Sequence, residues 1–317
     1  MERDLEPGSF WETRGRDTFM RFLVIGASGF VGRHVLRHCQ SAGHPVIGTQ
    51  SAMKHPHLVK FDLQQDRIGD CLTRSFCDAR GRAFAVICAG IHQVDRCVRE
   101  RELSHYVNVI NTIQLLWDLE SLGIMPVFFS SGFVFDGSTG NYSEGSAPCP
   151  INEYGRQKVV VEKFMREKMP GALVLRLDKV IGDDPAEFHL FTEWRSAVAE
   201  QRPVVCIQGQ VFSPTLASDV ARAIILACER GLSGVYNVAN PEFFSRADLA
   251  REFLRAMAAE VEVIELPQET LGFSDLRPLK TYLDPHKFSN ATGMRFTPVR
   301  EAVERFLAAA AEHPGSG

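Results

Sequence analysis

The 317-residue sequence predicts an α/β protein, a doubly wound parallel sheet followed by a smaller C-terminal α/β cap. Three observations carry that prediction. Short, β-branched apolar runs alternate with amphipathic stretches as far as about residue 181. A glycine-rich turn, Gly26-Ala27-Ser28-Gly29-Phe30-Val31-Gly32, follows the first run directly and opens a helical stretch. From about Gly182 the pattern becomes irregular, with Pro185, Pro203, Pro214, Pro241, Pro267, Pro278, Pro285 and Pro298 cutting it into short elements.

Residues 22–25 make the first strand, and a helix begins near Val31. Strands at 46–48 and 58–61 follow, the latter leading into a helix. A strand at 84–88 precedes a helix over 103–122, and 127–129 forms the next strand. A helix over 152–168 and a strand at 172–177 complete the sheet. Runs this apolar suit parallel strands buried on both faces and joined by helical crossovers. Beyond them, helices at 217–229, 246–259 and 300–310 are each introduced by a capping residue: Ser218 or Asp219, Ser245, and Thr297. The expected division is a leader at 1–20, a dinucleotide-binding domain at 21–181, a substrate-binding cap at 182–311 with some segments returning to the main sheet, and a tail at 312–317. An open α/β sheet binds ligands at the carboxyl ends of its strands, so a cap placed there puts substrate between the two parts.

Composition narrows the function. A formal charge of -4 and a pI near 6.2 leave no basic stripe, which argues against nucleic acid as a partner. No apolar run reaches the roughly 18 residues of a membrane span and no signal peptide precedes the first strand, so a soluble cytoplasmic protein is expected. The eight cysteines contain no C-x-x-C pair and read as reduced core residues. His34 and His38 stand four apart on the first helix without an acidic partner nearby, and read as an exposed helix face rather than a metal site. His55 and His57 flank a proline in a loop, and no metal is expected.

The glycine turn supplies the first chemistry. Gly26, Gly29 and Gly32 let backbone approach a pyrophosphate, and the helix start at Ser28, Phe30 and Val31 offers unpaired N–H groups to it. An acid about 20 residues past the glycines would bind a ribose hydroxyl, yet the second strand ends in Gly48-Thr49-Gln50-Ser51. With Arg33 and Lys54 available to a 2′-phosphate, NADP(H) is favoured over NAD(H). Asp62 and Leu63, just past the run at 58–61, are added to the cofactor-binding residues. Tyr154 and Lys158 lie four apart at a helix start and share a face. An ammonium beside a phenol is the simplest way to bring its pKa down toward working pH. Ser131, at the end of the strand at 127–129, can hydrogen-bond a substrate oxygen beside the tyrosine hydroxyl.

Taken together, these residues resemble the extended short-chain dehydrogenase/reductases, and within them the dTDP-4-dehydrorhamnose reductase branch of nucleotide-sugar enzymes, over residues 21–311. The resemblance rests further on Val94-Asp95-Arg96-Cys97, Tyr106-Val107-Asn108-Val109, Ser130-Ser131-Gly132-Phe133-Val134-Phe135-Asp136-Gly137, Phe212-Ser213-Pro214-Thr215, and Arg277-Pro278 with Leu283-Asp284. It implies that Cys88, Ala89 and Gly90 line the cofactor and that Ser131, Tyr154 and Lys158 are catalytic. It further implies that Asn108 supports a proton relay, and that Gly132, Phe133 and Arg277 meet the substrate, Arg277 at the nucleotide diphosphate. Gly132 departs from the branch, which carries an Asp there, and Gly132-Phe133 also replaces the Asp-Glu pair of the dehydratases. The implied activity is NADPH-dependent reduction of a nucleotide-linked 4-keto-6-deoxysugar, in a possible homodimer. A non-catalytic NADP-binding subunit like that of methionine adenosyltransferase, or a nucleotide-sugar epimerase, would keep the same fold.

Overall fold

In a computed structural model of the chain, described for residues 19–52 and 55–312, seven parallel strands form the main sheet. They are β1 (Met20–Ile25), β2 (Val46–Gln50), β3 (Val59–Lys60), β4 (Arg82–Ile87), β5 (Met125–Ser131), β6 (Leu173–Leu177) and the late β11 (Gly234–Val238). Their spatial order is β3-β2-β1-β4-β5-β6-β11. β1 pairs with both β2 and β4, so the chain runs outward in both directions from one crevice. Most of 1–20, Lys54, and 313–317 of the expected tail lie outside the described residues.

The strands are apolar on both faces because helices cover both. One core collects Phe22, Val24, Val86 and Leu175 with the helices Phe30–Ser41 and Ala217–Glu229. The other collects Leu23, Ile25, Phe128 and Val174 with the helices Thr112–Ser121 and Glu153–Lys168. The intervening small strands are β7 (Lys179–Ile181), β8 (Val204–Ile207), β9 (Val211–Phe212) and β10 (Pro214–Leu216), followed after β11 by β12 (Phe244–Ser245) and β13 (Val263–Leu266). They form three two-stranded pairs around a third core built on Phe191, Trp194, Phe253 and Phe306. Residues 182–311 are therefore not contiguous in space, since β11 returns to the edge of the main sheet beside β6.

Several local expectations are corrected by tertiary contacts. Ser245 caps its helix, accepting the Asp248 N–H at 3.0 Å. The helix Ala217–Glu229 has Leu216 at its cap position instead, and Asp219 lies inside it, accepting the Thr297 N–H at 2.7 Å and the Arg222 guanidinium at 2.7 Å. The stretch expected as one helix over 103–122 is broken at Tyr106–Asn111 into a π-helical turn that carries Asn108. His34 is buried, not exposed, and lies 2.7 Å from Glu187. Of the cysteines, Cys39, Cys97, Cys206 and Cys228 are buried, whereas Cys149 is exposed. Among the described residues no helix is long and apolar enough to cross a membrane, and no group of three or more His, Cys, Asp or Glu could hold a metal.

Candidate active site

The glycine turn sits in the crevice between β1 and β4. Gly26 adopts φ +86°, and a Cβ there would stand 2.9 Å from the Ala89 nitrogen. A Cβ on Gly32 would stand 2.3 Å from the Gly26 carbonyl oxygen. Thr49 anchors the turn from β2: its hydroxyl accepts the Gly26 N–H at 3.1 Å and its carbonyl the Ala27 N–H at 2.8 Å. The helix Phe30–Ser41 starts at Gly29 without a side-chain cap, so its first N–H groups remain available to an anion. Tight glycines beneath an open helix start fit a dinucleotide pyrophosphate. Gly32→Ala overpacks backbone against backbone, a cost of roughly 1–3 kcal/mol, so NADP+ affinity is expected to fall roughly ten- to hundred-fold in a fluorescence titration.

At the end of β2, Gln50 is buried and spends its amide on the adjoining loop, donating to the His55 carbonyl at 2.6 Å and accepting the His55 N–H at 3.0 Å. Arg33 is one of three basic side chains around a single carboxylate: Glu187, almost fully buried, lies 3.4 Å from Arg33, 2.7 Å from His34 and 3.5 Å from Arg37. The arginine expected to face a 2′-phosphate is therefore held by an acid from the segment after β7. Phe30 stacks on His189 from that same segment at 5.7 Å. Asp62 accepts the Gln64 N–H at 2.9 Å, and the Leu63 carbonyl accepts from Asn111 at 2.8 Å.

Ser131 ends β5, and its hydroxyl accepts the Phe133 N–H at 3.2 Å, turning the chain into a short 3-10 helix. Asn152 caps the helix Glu153–Lys168 by accepting the Gly155 N–H at 2.8 Å, which sets Tyr154 and Lys158 one turn apart on a single face. The Ser131 side chain stands beside the Tyr154 hydroxyl at the same cleft. Lys158 is buried, donates to the Phe129 carbonyl at 2.8 Å and lies 5.6 Å from the Tyr154 ring centre. Burial lowers the Lys158 ammonium to about 8, while neighbouring Cys97, Glu162 and Cys88 oppose the shift. Burial, with Cys97 nearby, pushes the Tyr154 phenol up, and the neighbouring Ser131 only partly offsets it. The expected lowering of the phenol by Lys158 is thus reversed here, and the hydroxyl keeps its proton.

Asn108 acts as a clamp. Its carbonyl accepts the Ile91 N–H at 2.8 Å, and its amide donates to the Ile91 carbonyl at 2.9 Å and to Gln157 at 2.8 Å, tying the loop after β4 to the tyrosine helix. The loop itself carries Cys88, Ala89 and Gly90; Cys88 N–H donates to the Ile25 carbonyl at 2.8 Å, and Gly90 adopts φ +146° with the Asn108 carbonyl 3.0 Å from where its Cβ would be.

Ser131, Phe133 and Tyr154 open into a cleft of about 200 Å³. Sequence reasoning missed four of its polar walls: His92, Asp178, Lys179 and Arg246. His92 packs edge-on to Tyr154 at 6.5 Å and meets the Cys88 carbonyl at 3.1 Å. His92 is exposed to solvent; desolvation at the cleft and the Lys158 charge lower its imidazole to about 4. Gly132 has a packing reason for departing from aspartate: a Cβ there would stand 2.7 Å from the Thr281 carbonyl oxygen, so the segment carrying Thr281 passes directly over it. Arg277 does not line this cleft. It pairs with Asp95 at 2.9 Å, donates to the Asp275 carbonyl at 2.8 Å and covers the Phe273 ring.

The RmlD substrate binding domain matches residues 20–312, nearly all of the described chain. The chain belongs to that family. It is an extended short-chain dehydrogenase/reductase and, with that class, an NAD(P)-dependent oxidoreductase. It is 29% identical over 273 residues to the "Probable low-salt glycan biosynthesis reductase Agl14" of Haloferax volcanii, covering 84% of this chain and 90% of that one. It is also 26% identical to methionine adenosyltransferase 2 subunit beta of Xenopus laevis, covering 90% of this chain and 87% of that one. Among solved structures, dTDP-4-dehydrorhamnose reductase of Bacillus anthracis in complex with NADP shares the fold with a TM-score of 0.79 at 21% identity, over 92% of this chain and 99% of that one.

Proposed function

We propose that this RmlD-family chain reduces the ketone of a nucleotide-linked 4-keto-6-deoxysugar with NADPH. The observation that carries the reading is that Ser131 and Tyr154 share one cleft, with Lys158 buried one helical turn from Tyr154, in a fold whose glycine cradle fits a dinucleotide. Bound in that cradle, the nicotinamide supplies the hydride. Ser131 hydrogen-bonds the ketone oxygen, and Tyr154, held protonated by burial, gives its hydroxyl proton to the developing alkoxide. Lys158 holds the nicotinamide ribose and stabilises the phenolate that Tyr154 leaves behind. Asn108 has both amide atoms engaged and works as a positioning residue, fixing the cofactor-side loop against the tyrosine helix. The preference for NADPH rests on β2 ending in Gln50, with no carboxylate to repel a 2′-phosphate.

The test is NADPH oxidation by the purified protein across dTDP-, GDP- and UDP-linked 4-keto-6-deoxysugars, with NADH as the cofactor control. Substrate-dependent oxidation identifies the nucleotide; silence across the panel despite NADPH binding removes the proposal. That silence would favour the second reading, a cofactor-binding subunit, which the likeness to methionine adenosyltransferase 2 subunit beta keeps in play. A nucleotide-sugar epimerase would instead retain its cofactor and consume no NADPH.

The same mechanism fixes a pH dependence. Lys158 must be charged, and its ammonium is lost as pH rises through about 8. A profile of kcat/KM between roughly pH 6 and 10 is expected to fall on the alkaline side with a midpoint near that value. A plateau that runs to about pH 10, as an ordinary lysine of pKa about 10.4 would give, would contradict the assignment.

A further inference from the structure

We propose that Lys179 and Arg246 form a subsite for an anionic oxygen group of the substrate, either a carboxylate on the sugar ring or the phosphate that joins the ring to its nucleotide. The inference rests on the reading of this cleft as the nucleotide-sugar site. Both cations line the cleft that also exposes Ser131 and Tyr154. Its volume, about 200 Å³, is smaller than the roughly 300–1,000 Å³ of pockets for drug-sized ligands, so a single ring and its first substituents fill it. A group attached to that ring thus stands within reach of the reacting hydroxyls and the two cations together.

The charges around the pair leave room for a ligand. The ammonium of Lys179, from β7, makes no hydrogen bond or salt bridge among the described residues. Burial and the Arg246 charge lower it to about 8. Arg246 opens the helix Arg246–Ala256, is mostly buried, and takes Glu193 at 3.0 Å, a carboxylate half exposed to water. Asp178, the acid in the same wall, accepts the Ser213 N–H at 2.6 Å and feels the Lys179 charge without forming a salt bridge with it among the described residues. His92, on the same cleft, is neutral. Two desolvated cations on one cleft, acting on each other and only partly offset by Glu193 and Asp178, cost the free chain stability that a ligand anion restores.

Calorimetric titration into NADP+-saturated protein tests this with UDP-glucose, UDP-glucuronate and UDP, and with dTDP-glucose and dTDP as the second nucleotide series. Lys179→Met and Arg246→Met are each expected to weaken at least one probe about ten-fold or more, and Lys179→Arg to recover most of it. A loss confined to UDP-glucuronate assigns the ring carboxylate; a loss shared by UDP-glucose and UDP, or by the dTDP pair, assigns the phosphate. Affinities within about two-fold of wild type in both methionine variants, or no binding of any probe to wild type, would overturn the proposal. Unchanged NADP+ affinity identifies variants that have folded, and one folded variant suffices. Since binding needs no turnover, failure of the ketone-reduction reading in the oxidation assay and failure of this subsite are separate results.

Discussion

Tyr154→Phe is expected to lower kcat for ketone reduction by roughly 10²–10⁴-fold while leaving NADP+ affinity nearly unchanged. The substitution removes one oxygen and keeps the ring, which packs edge-on against Phe133 at 6.1 Å and His92 at 6.5 Å. The helix start is set by Asn152, and Lys158 keeps its bond to the Phe129 carbonyl, so neither depends on the lost hydroxyl. What disappears is the proton that burial holds on the phenol beside Ser131. Steady-state kinetics beside a cofactor titration separates the two effects. Turnover within a few-fold of wild type would remove Tyr154 as the acid.

The largest stability effect is expected at Glu162, on the outer part of the same helix. Arg176 of β6 grips it with two bonds, at 3.0 and 2.6 Å, and both side chains are almost fully buried. The guanidinium also lies 5.1 Å from the Phe135 ring centre. Glu162→Ala strands that charge in the interior and is expected to cost roughly 3–5 kcal/mol, read from the shift in the urea midpoint at constant slope. Pairing Glu162→Leu with Arg176→Met removes both charges and is expected to recover most of the loss, because desolvation of the ion pair consumes much of its Coulombic gain. A double variant no more stable than Glu162→Ala would show that the pair itself carries the stability. Glu162 also helps hold the proton on Lys158, so any folded Glu162 variant should lose activity at lower pH than wild type.

Much of the cofactor side was legible from local sequence. Glycine spacing after an apolar run, and a Tyr and a Lys four apart at a helix start, are short-range signals whose geometry the backbone enforces wherever they occur. The substrate side was not legible in this way. Arg33 looks free for a phosphate until Glu187, 154 positions later by numbering (187 against 33), closes on it together with His34 and Arg37. Arg277 looks like a substrate ligand until Asp95 takes it. His92, Asp178, Lys179 and Arg246 carry no motif, yet they share one cleft.

By itself the sequence determined the parallel α/β sheet, the placement of its glycine turn and the Ser131–Tyr154–Lys158 set, since periodicity, turn chemistry and helix spacing act over a few residues. Only the tertiary structure decided that β11 returns to the sheet edge, that Asn108 sits in a π-helical turn as a clamp, and that Gly132 must be glycine beneath the Thr281 carbonyl. It alone also decided which charges are spent on one another and which still face the cleft. The physical reason is range: a charge is satisfied by whatever group the folded chain brings within a few ångströms, and that neighbour comes from a distant segment whose approach no local pattern records.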